Sequence, residues 1–207
     1  MYATDPLLTG RRSCKRDMFD FLLSADLFFA RIAGGLRSSC GMILTPVFKA
    51  ITLSGNMGLI FIIAAAVMLI FGKTRKTGIF VLVALLLGFL FTNIILKNVV
   101  ARSRPFADTT SEFYAIWKAA GSLTESGYSF PSGHTTAATA FGASLFLAMK
   151  KRYSWAFLLI PLIMGFTRIY FVVHYASDVL GGLIVGGVSA TISYFIVRTI
   201  YKKIKKA

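Results

Sequence analysis

Between Lys49 and Lys73 the chain carries no charged residue, and further apolar runs of similar length succeed it. A backbone immersed in lipid must satisfy its own hydrogen bonds, which leaves helices or closed barrels. A hydrocarbon core of about 30 Å takes roughly 20 residues of helix. Five segments meet or approach that length: residues 56–72, 77–96, 131–149, 154–173 and 179–197. The spacing therefore predicts an all-α, polytopic transmembrane helix bundle with five spans. Composition agrees, since 56% of the residues are hydrophobic and 15% charged. That balance excludes a soluble domain built around one core.

The region ahead of the spans reads differently. Residues 1–17 are polar, and from 18 to 32 apolar residues recur at helical spacing, interrupted by Asp20, Asp26 and Arg31. This pattern fits an amphipathic helix lying at the membrane interface. Gly34, Gly35 and Gly41 punctuate the next stretch, and residues 40–54 form a second interfacial helix carrying Lys49. The chain thus divides into an N-terminal tail with an interfacial segment (1–54), a transmembrane unit (55–201) and a basic tail (202–207). The N-terminus lacks the residue order of a cleavable signal peptide, so the first spans are expected to direct insertion. Cys14 and Cys40 show no metal-ligand spacing and define no disulfide framework.

The net charge is +15. Lys73, Arg75 and Lys76, then Lys150, Lys151 and Arg152, then Lys202, Lys203, Lys205 and Lys206 fall on one side of a five-span chain. An excess of basic loop residues marks the cytoplasmic side. Charges dispersed between spans do not form the polar basic face of a nucleic-acid binder, so no nucleic acid partner is expected. Five spans put the N-terminus outside, against the preference of Arg11, Arg12, Lys15 and Arg16. The alternative is a sixth crossing over residues 18–45, which the aspartates make costly.

On the opposite face, Lys97 and Arg104 end the second span seven residues apart. Two helical turns place them on one face before Pro105 stops the helix; the structural alternative is snorkelling to the interface. Arg102 falls on another face and reads as a headgroup contact or a solvated charge. Pro131, Ser132, Gly133 and His134 open the third span, where a hydroxyl and unhindered amides at a helix N-terminus make an anion site. Arg168 lies inside the fourth span, suited to a bidentate phosphate contact or to a pair with Asp178. His174 and Asp178 are four apart, so on a helix they share a face. Asp178 would then hold the imidazole in one tautomer, or the pair merely ties helices together. The five-span topology brings Lys97, Arg104, His134, Arg168, His174 and Asp178 to one side of the membrane. Both histidines of the chain are among them.

Lys97-x6-Arg104-Pro105, Pro131-Ser132-Gly133-His134 and Thr167-Arg168-x5-His174-x3-Asp178 together resemble the three-part signature of the type 2 phosphatidic acid phosphatase (PAP2) family. Thr167 stands where that pattern usually has serine, and it keeps the hydroxyl. The resemblance implies that His174 attacks phosphorus to form a phosphohistidine, with Asp178 orienting it. His134 would protonate the leaving group, while Lys97, Arg104, Ser132, Gly133 and Arg168 hold the phosphate. No cofactor and no metal are expected, because no cluster of metal-ligating side chains is visible in the sequence.

The expected activity is phosphate removal from a membrane lipid on the outer face of a bacterial plasma membrane. Undecaprenyl diphosphate leads by a small margin over phosphatidylglycerophosphate and phosphatidic acid. The expected partners are that lipid and the bilayer, with no obligate protein partner. A transporter or flippase of anionic lipids is the alternative, but it places its charges near the bilayer midplane and often shows internal repeats. Gly181, Gly182, Gly186 and Gly187 read as helix packing, as does the run 135–140. The 106–130 loop, with Phe113, Tyr114, Trp117 and Tyr128, either borders a lipid entry path or simply connects two spans.

Overall fold

The computed structural model of the chain describes residues 6–55, 58–149 and 152–204. Helix α1 covers Pro6–Ser54. It is followed by α2 (Leu59–Ile70), α3 (Arg75–Val100), α4 (Glu112–Ala119), α5 (Gly133–Met149), α6 (Ser154–Tyr170) and α7 (Ala176–Ile204). Among the described residues there is no strand. Asp20–Ser54, Arg75–Val100 and Ala176–Ile204 are long and apolar enough to cross a membrane, while Leu59–Ile70 and Ser154–Tyr170 are shorter apolar helices. Asn56, Met57, Lys150, Lys151 and the final residues Lys205 and Lys206 of the basic tail lie outside the described residues.

The bundle core is built mostly from small and branched side chains. Ala65 of α2, Val81 and Ala84 of α3, Ala138 and Ala140 of α5 and Ala190 of α7 are fully enclosed. Small residues let helix backbones approach where lipid offers no hydrophobic drive to association. Gly182 and Gly186 show how close the approach is. A Cβ at Gly186 would stand 2.6 Å from the Thr136 carbonyl oxygen and 2.5 Å from the Thr139 Cβ. The expected packing role therefore holds for this pair, and the 135–140 run is the surface that receives it. Gly187, by contrast, faces open space.

Helix α1 corrects one expectation, since it is continuous and not two helices broken at glycines. A glycine inside a helix costs about 1 kcal/mol relative to alanine, which tertiary packing offsets. Here Gly41 packs on the Arg37 side chain, Arg37 donates to the Tyr170 carbonyl at 3.1 Å, and Thr45 meets the Tyr170 hydroxyl at 2.7 Å. Ala30 joins Phe113, Trp117, Tyr170 and Val173 in a second apolar cluster beneath α4. Asp26 contacts Ser177 at the start of α7, and Thr52 contacts Thr167 in the last turn of α6. Both ends of this stretch of α1 therefore touch the same end of the bundle.

Candidate active site

At that end of the bundle the expected residues meet, although several arrive by a different backbone route. Helix α3 ends at Val100, and Ala101 turns the chain with φ of 47°. Arg104 therefore reaches the site from an extended segment and not from two further helical turns. Within α3, residues Leu90–Leu96 are π-helical, a local widening that often accompanies functional sites. It carries Asn93 and the following Lys97 along the same cavity.

Arg104 is buried and its guanidinium is fully engaged. It donates to the Gly127 carbonyl at 2.9 Å, the Ser126 carbonyl at 2.9 Å and the Val173 carbonyl at 3.0 Å. Its Nη1 also meets a Glu125 carboxylate oxygen at 3.0 Å. Arg168, buried in the last turn of α6, donates to the other Glu125 oxygen and to the Thr52 hydroxyl. It does not pair with Asp178. Its Nε is buried with no hydrogen-bond partner among the described residues. His134 Nδ1 lies 3.7 Å and His174 Nε2 3.5 Å from the same carboxylate. Two arginines and both histidines thus converge on one anion supplied by the chain itself.

The charge state of Glu125 follows from this setting. Burial acts to raise its carboxyl, but the His174 hydrogen bond and the charges of Arg168, His174 and His134 outweigh burial and hold it well below the usual carboxylate range.

The His174–Asp178 pair is formed by a turn. Helix α6 stops at Tyr170, Val172 has φ of 51°, and α7 begins at Ala176. The fourth span therefore ends three residues earlier than expected. Asp178 lies in the first turn of α7, and its Oδ2 accepts the Tyr175 amide at 2.9 Å, an arrangement that also satisfies an orphan donor of the helix N-terminus. The same oxygen accepts the Ser129 hydroxyl and faces His174 Nδ1 at 3.4 Å. Arg102, expected to be a headgroup contact or a solvated charge, instead donates to Asp178 Oδ1 at 2.8 Å and to Asp26 Oδ2 at 2.8 Å.

Two hydroxyls of the expected motifs have partners within the protein. Ser132 accepts from the Thr135 hydroxyl at 3.0 Å and from its amide at 3.5 Å, capping α5. The Ser132 amide is spent on the Asp178 carbonyl at 3.0 Å. Thr167 donates to the Met164 carbonyl at 2.7 Å. The anion-facing part of this motif is thus the open first turn at Gly133 and His134, whose amides have no intrahelical partner.

These groups line one end of a cavity of about 640 Å³ that includes Lys97, Arg104, Glu125, Gly133, His134 and His174. Ile62 of α2 and Leu82, Leu85, Leu86 and Phe89 of α3 line the remainder. Leu86 and Phe89 are more than half exposed, so the apolar part opens on the outer surface of the bundle.

Sequence reasoning misses Glu125, Ser129, Arg102, Asp26 and Thr52 as site residues. Asp26 does leave a signal, because an acid inside an apolar helix is costly unless it is paired. Glu125, the last acidic residue before Asp178, gives no signal beyond its place in a loop.

Comparison with known proteins finds phosphatases among the relatives of this chain. A lipid A 1-phosphatase of Rhizobium etli is 33% identical over 116 residues, 48% of this chain and 45% of the relative. An undecaprenyl-diphosphatase of Sulfolobus acidocaldarius is 28% identical over 128 residues, 61% of this chain and 58% of the relative. The chain thus spans about half the length of these relatives. In fold it resembles the crystal structure of Aquifex aeolicus LpxE, with a TM-score of 0.62 and 22% identity over 81% of this chain and 93% of that one. It also resembles a transmembrane PAP2-type phosphatidylglycerolphosphate phosphatase from Bacillus subtilis, with a TM-score of 0.54 and 24% identity over 91% and 96% of the two chains. The PAP2 superfamily model matches residues 76–202, the span that carries Lys97, Arg104, His134, Arg168, His174 and Asp178, and the chain belongs to that superfamily.

Proposed function

We propose that the protein is an integral-membrane lipid phosphatase acting through a phosphohistidine. The observation that carries this reading is the cavity that joins a cationic, histidine-lined end to an apolar groove open on the outer surface of the bundle. A lipid phosphate matches it end for end.

The Glu125 carboxylate marks the phosphate position, since it already satisfies the donors a phosphate oxygen would take. Arriving phosphate displaces it and gains Arg104, Arg168 including its unpartnered Nε, Lys97 and the first amides of α5. With Glu125 displaced, Nε2 is left facing Arg104, which has only donors, and Nδ1 facing Asp178, which has only acceptors, so the His174 tautomer that satisfies both carries its proton on Nδ1. Nε2 then holds a free electron pair and attacks phosphorus as the bond to the leaving oxygen breaks. His134 gives that oxygen its proton. In the second half His134 takes a proton from water, the water oxygen attacks phosphorus, and the P–N bond breaks to restore His174.

The basic clusters after the first, third and fifth spans support an extracytoplasmic position for this end of the bundle. The transmembrane catalytic unit comprises residues 55–201, and the N-terminal 1–54 serves it as an interfacial element. Lys97, Arg104, Gly133 and Arg168 bind the phosphate, and Ser132 contributes as the cap that fixes the start of α5. Undecaprenyl diphosphate is the favoured substrate; phosphatidylglycerophosphate, phosphatidic acid and lipid A phosphates share the same chemistry. Phosphate release by detergent-purified protein from a panel of these lipids tests the reading. Release from at least one, with an acid-labile phosphoprotein trapped on rapid quenching, is expected. No release from any would overturn it.

A further inference from the structure

We propose that Asp26 and Arg102 are positioning residues for the His174–Asp178 pair, so that α1 completes the active site. The inference rests on the reading of His174 as nucleophile. It concerns a helix lying wholly outside residues 76–202, the part matched by the superfamily model.

The geometry is a chain of paired charges behind the nucleophile. Asp26 is 2% exposed. Its Oδ1 accepts the Ser177 amide at 2.8 Å, and its Oδ2 accepts the Ser177 hydroxyl and Arg102 Nη2, each at 2.8 Å. Arg102 Nη1 donates to Asp178 Oδ1 at 2.8 Å and to the Ser177 hydroxyl oxygen at 2.6 Å. The guanidinium lies 3.7 Å from the centre of the Tyr175 ring. Two carboxylates and an aromatic face therefore fix it, and it fixes Asp178 in turn. The other Asp178 oxygen is left to Ser129, the Tyr175 amide and His174 Nδ1.

Charge gives this arrangement a catalytic consequence. A guanidinium paired only with Asp178 would cancel the carboxylate that the imidazole needs as phosphorus is attacked. With Asp26 sharing it, the three groups carry −2 + 1 = −1, and His174 faces a cluster that stays negative. Among the described residues, the remaining charged or titratable neighbours of His174 include Arg104, Glu125 and His134, with Arg168 reached through Glu125. Those lie on the substrate side. The Asp178–Arg102–Asp26 chain supports the imidazole from behind.

A purely structural tie between α1 and α7 would leave the pH dependence of turnover where it is, which separates the two readings. Asp26→Asn removes one negative charge and makes the surroundings of His174 more positive. Its protonated form is then disfavoured, and the acidic limb of the kcat profile should move down by about half a pH unit or more. Arg102→Gln removes a positive charge and should move the same limb up by a similar amount. In both variants kcat should fall roughly 10- to 100-fold, because the carboxylate is no longer held in register, while KM stays within about threefold. Asp26→Glu should recover part of the loss. Limbs that stay in place in correctly folded protein would overturn the proposal. Where Asp26→Asn does not accumulate as folded protein, the direction of the Arg102→Gln limb decides alone. His174→Ala is run alongside: full activity there defeats the nucleophile assignment itself, whereas an inactive His174→Ala beside unshifted Asp26 and Arg102 variants defeats only the positioning role.

Discussion

The Glu125 carboxylate sits 3.0 Å from the Arg104 guanidinium and also engages Arg168, so the resting site holds an anion of its own where a phosphate would bind. On the proposed reading a substrate displaces it, and its apparent affinity is reduced by the fraction of time the carboxylate is in place. Glu125→Gln keeps the shape and weakens the competitor. Both KM and the inhibition constant of inorganic phosphate are expected to fall, roughly tenfold, in steady-state assays of the purified variant. Unchanged values would mean that the carboxylate leaves the cradle without cost.

The same contacts make Glu125 a pH-dependent stabiliser. Its folded carboxyl is held below the unfolded value of about 4.3. The stabilisation is therefore complete above that value and is lost as pH falls toward the depressed one. Thermal unfolding of the wild-type protein in detergent should lose ground to Glu125→Gln below about pH 4. A gap that widens on acidification would contradict this assignment.

His174→Ala should abolish phosphate release while leaving insertion and thermal stability near wild type. Asp178→Asn should retain the Tyr175 amide contact but misplace the imidazole proton, with a loss of about 10³- to 10⁴-fold in kcat. Single-turnover measurement on folded protein checks both. Wild-type kinetics in Asp178→Asn would reduce the pair to a packing tie.

The candidate site residues are legible in the sequence because each is costly in an apolar chain. Lys97, Arg104, His134, Arg168, His174 and Asp178 stand out for that reason, and the structure brings them together. Their backbone is not legible. The left-handed turns at Ala101 and Val172 use residues that give no turn signal, so helical spacing assigns Arg104 to a helix it does not belong to and carries the fourth span three residues too far. Ser132 and Thr167 are expected at the phosphate because a hydroxyl can serve it. The Thr167 hydroxyl donates to the Met164 carbonyl instead, whereas the Ser132 oxygen accepts from Thr135 and keeps its own proton to donate. Asp26 meets Ser177 across 151 residues of sequence, and no local pattern encodes a contact of that range.

Close packing in α7 makes a sharper prediction than its glycine count. Gly186 faces the Thr136 carbonyl with no room for a methyl group, whereas its neighbour Gly187 has nothing within 4 Å. Gly186→Ala should destabilise the purified protein by about 1–3 kcal/mol through overpacking. Gly187→Ala should be neutral or stabilising by up to about 1 kcal/mol, from helix propensity alone. Thermal unfolding of the two variants in one detergent decides; equal shifts would remove the close-approach account.

The course of α1 bears on the side of the N-terminus. Asp20–Ser54 is long and apolar enough to cross, and four basic residues near the N-terminus favour the cytoplasm. Against that, Asp26 is bound to Ser177 and Arg102, and Thr52 to Thr167 and Arg168, all at the active-site end. A helix running straight through the bilayer has its two ends on opposite faces, so one of these contacts would have to break. Asp26 is the expensive one to release, because an unpaired carboxylate would be left in an apolar helix. An α1 that lies across the active-site face keeps both contacts, with five spans and an extracytoplasmic N-terminus. Fusing an alkaline phosphatase or a fluorescent protein ahead of Met1 reports the side directly: phosphatase activity without fluorescence is expected. Fluorescence without phosphatase activity would establish a sixth crossing and would require Asp26 to find other partners.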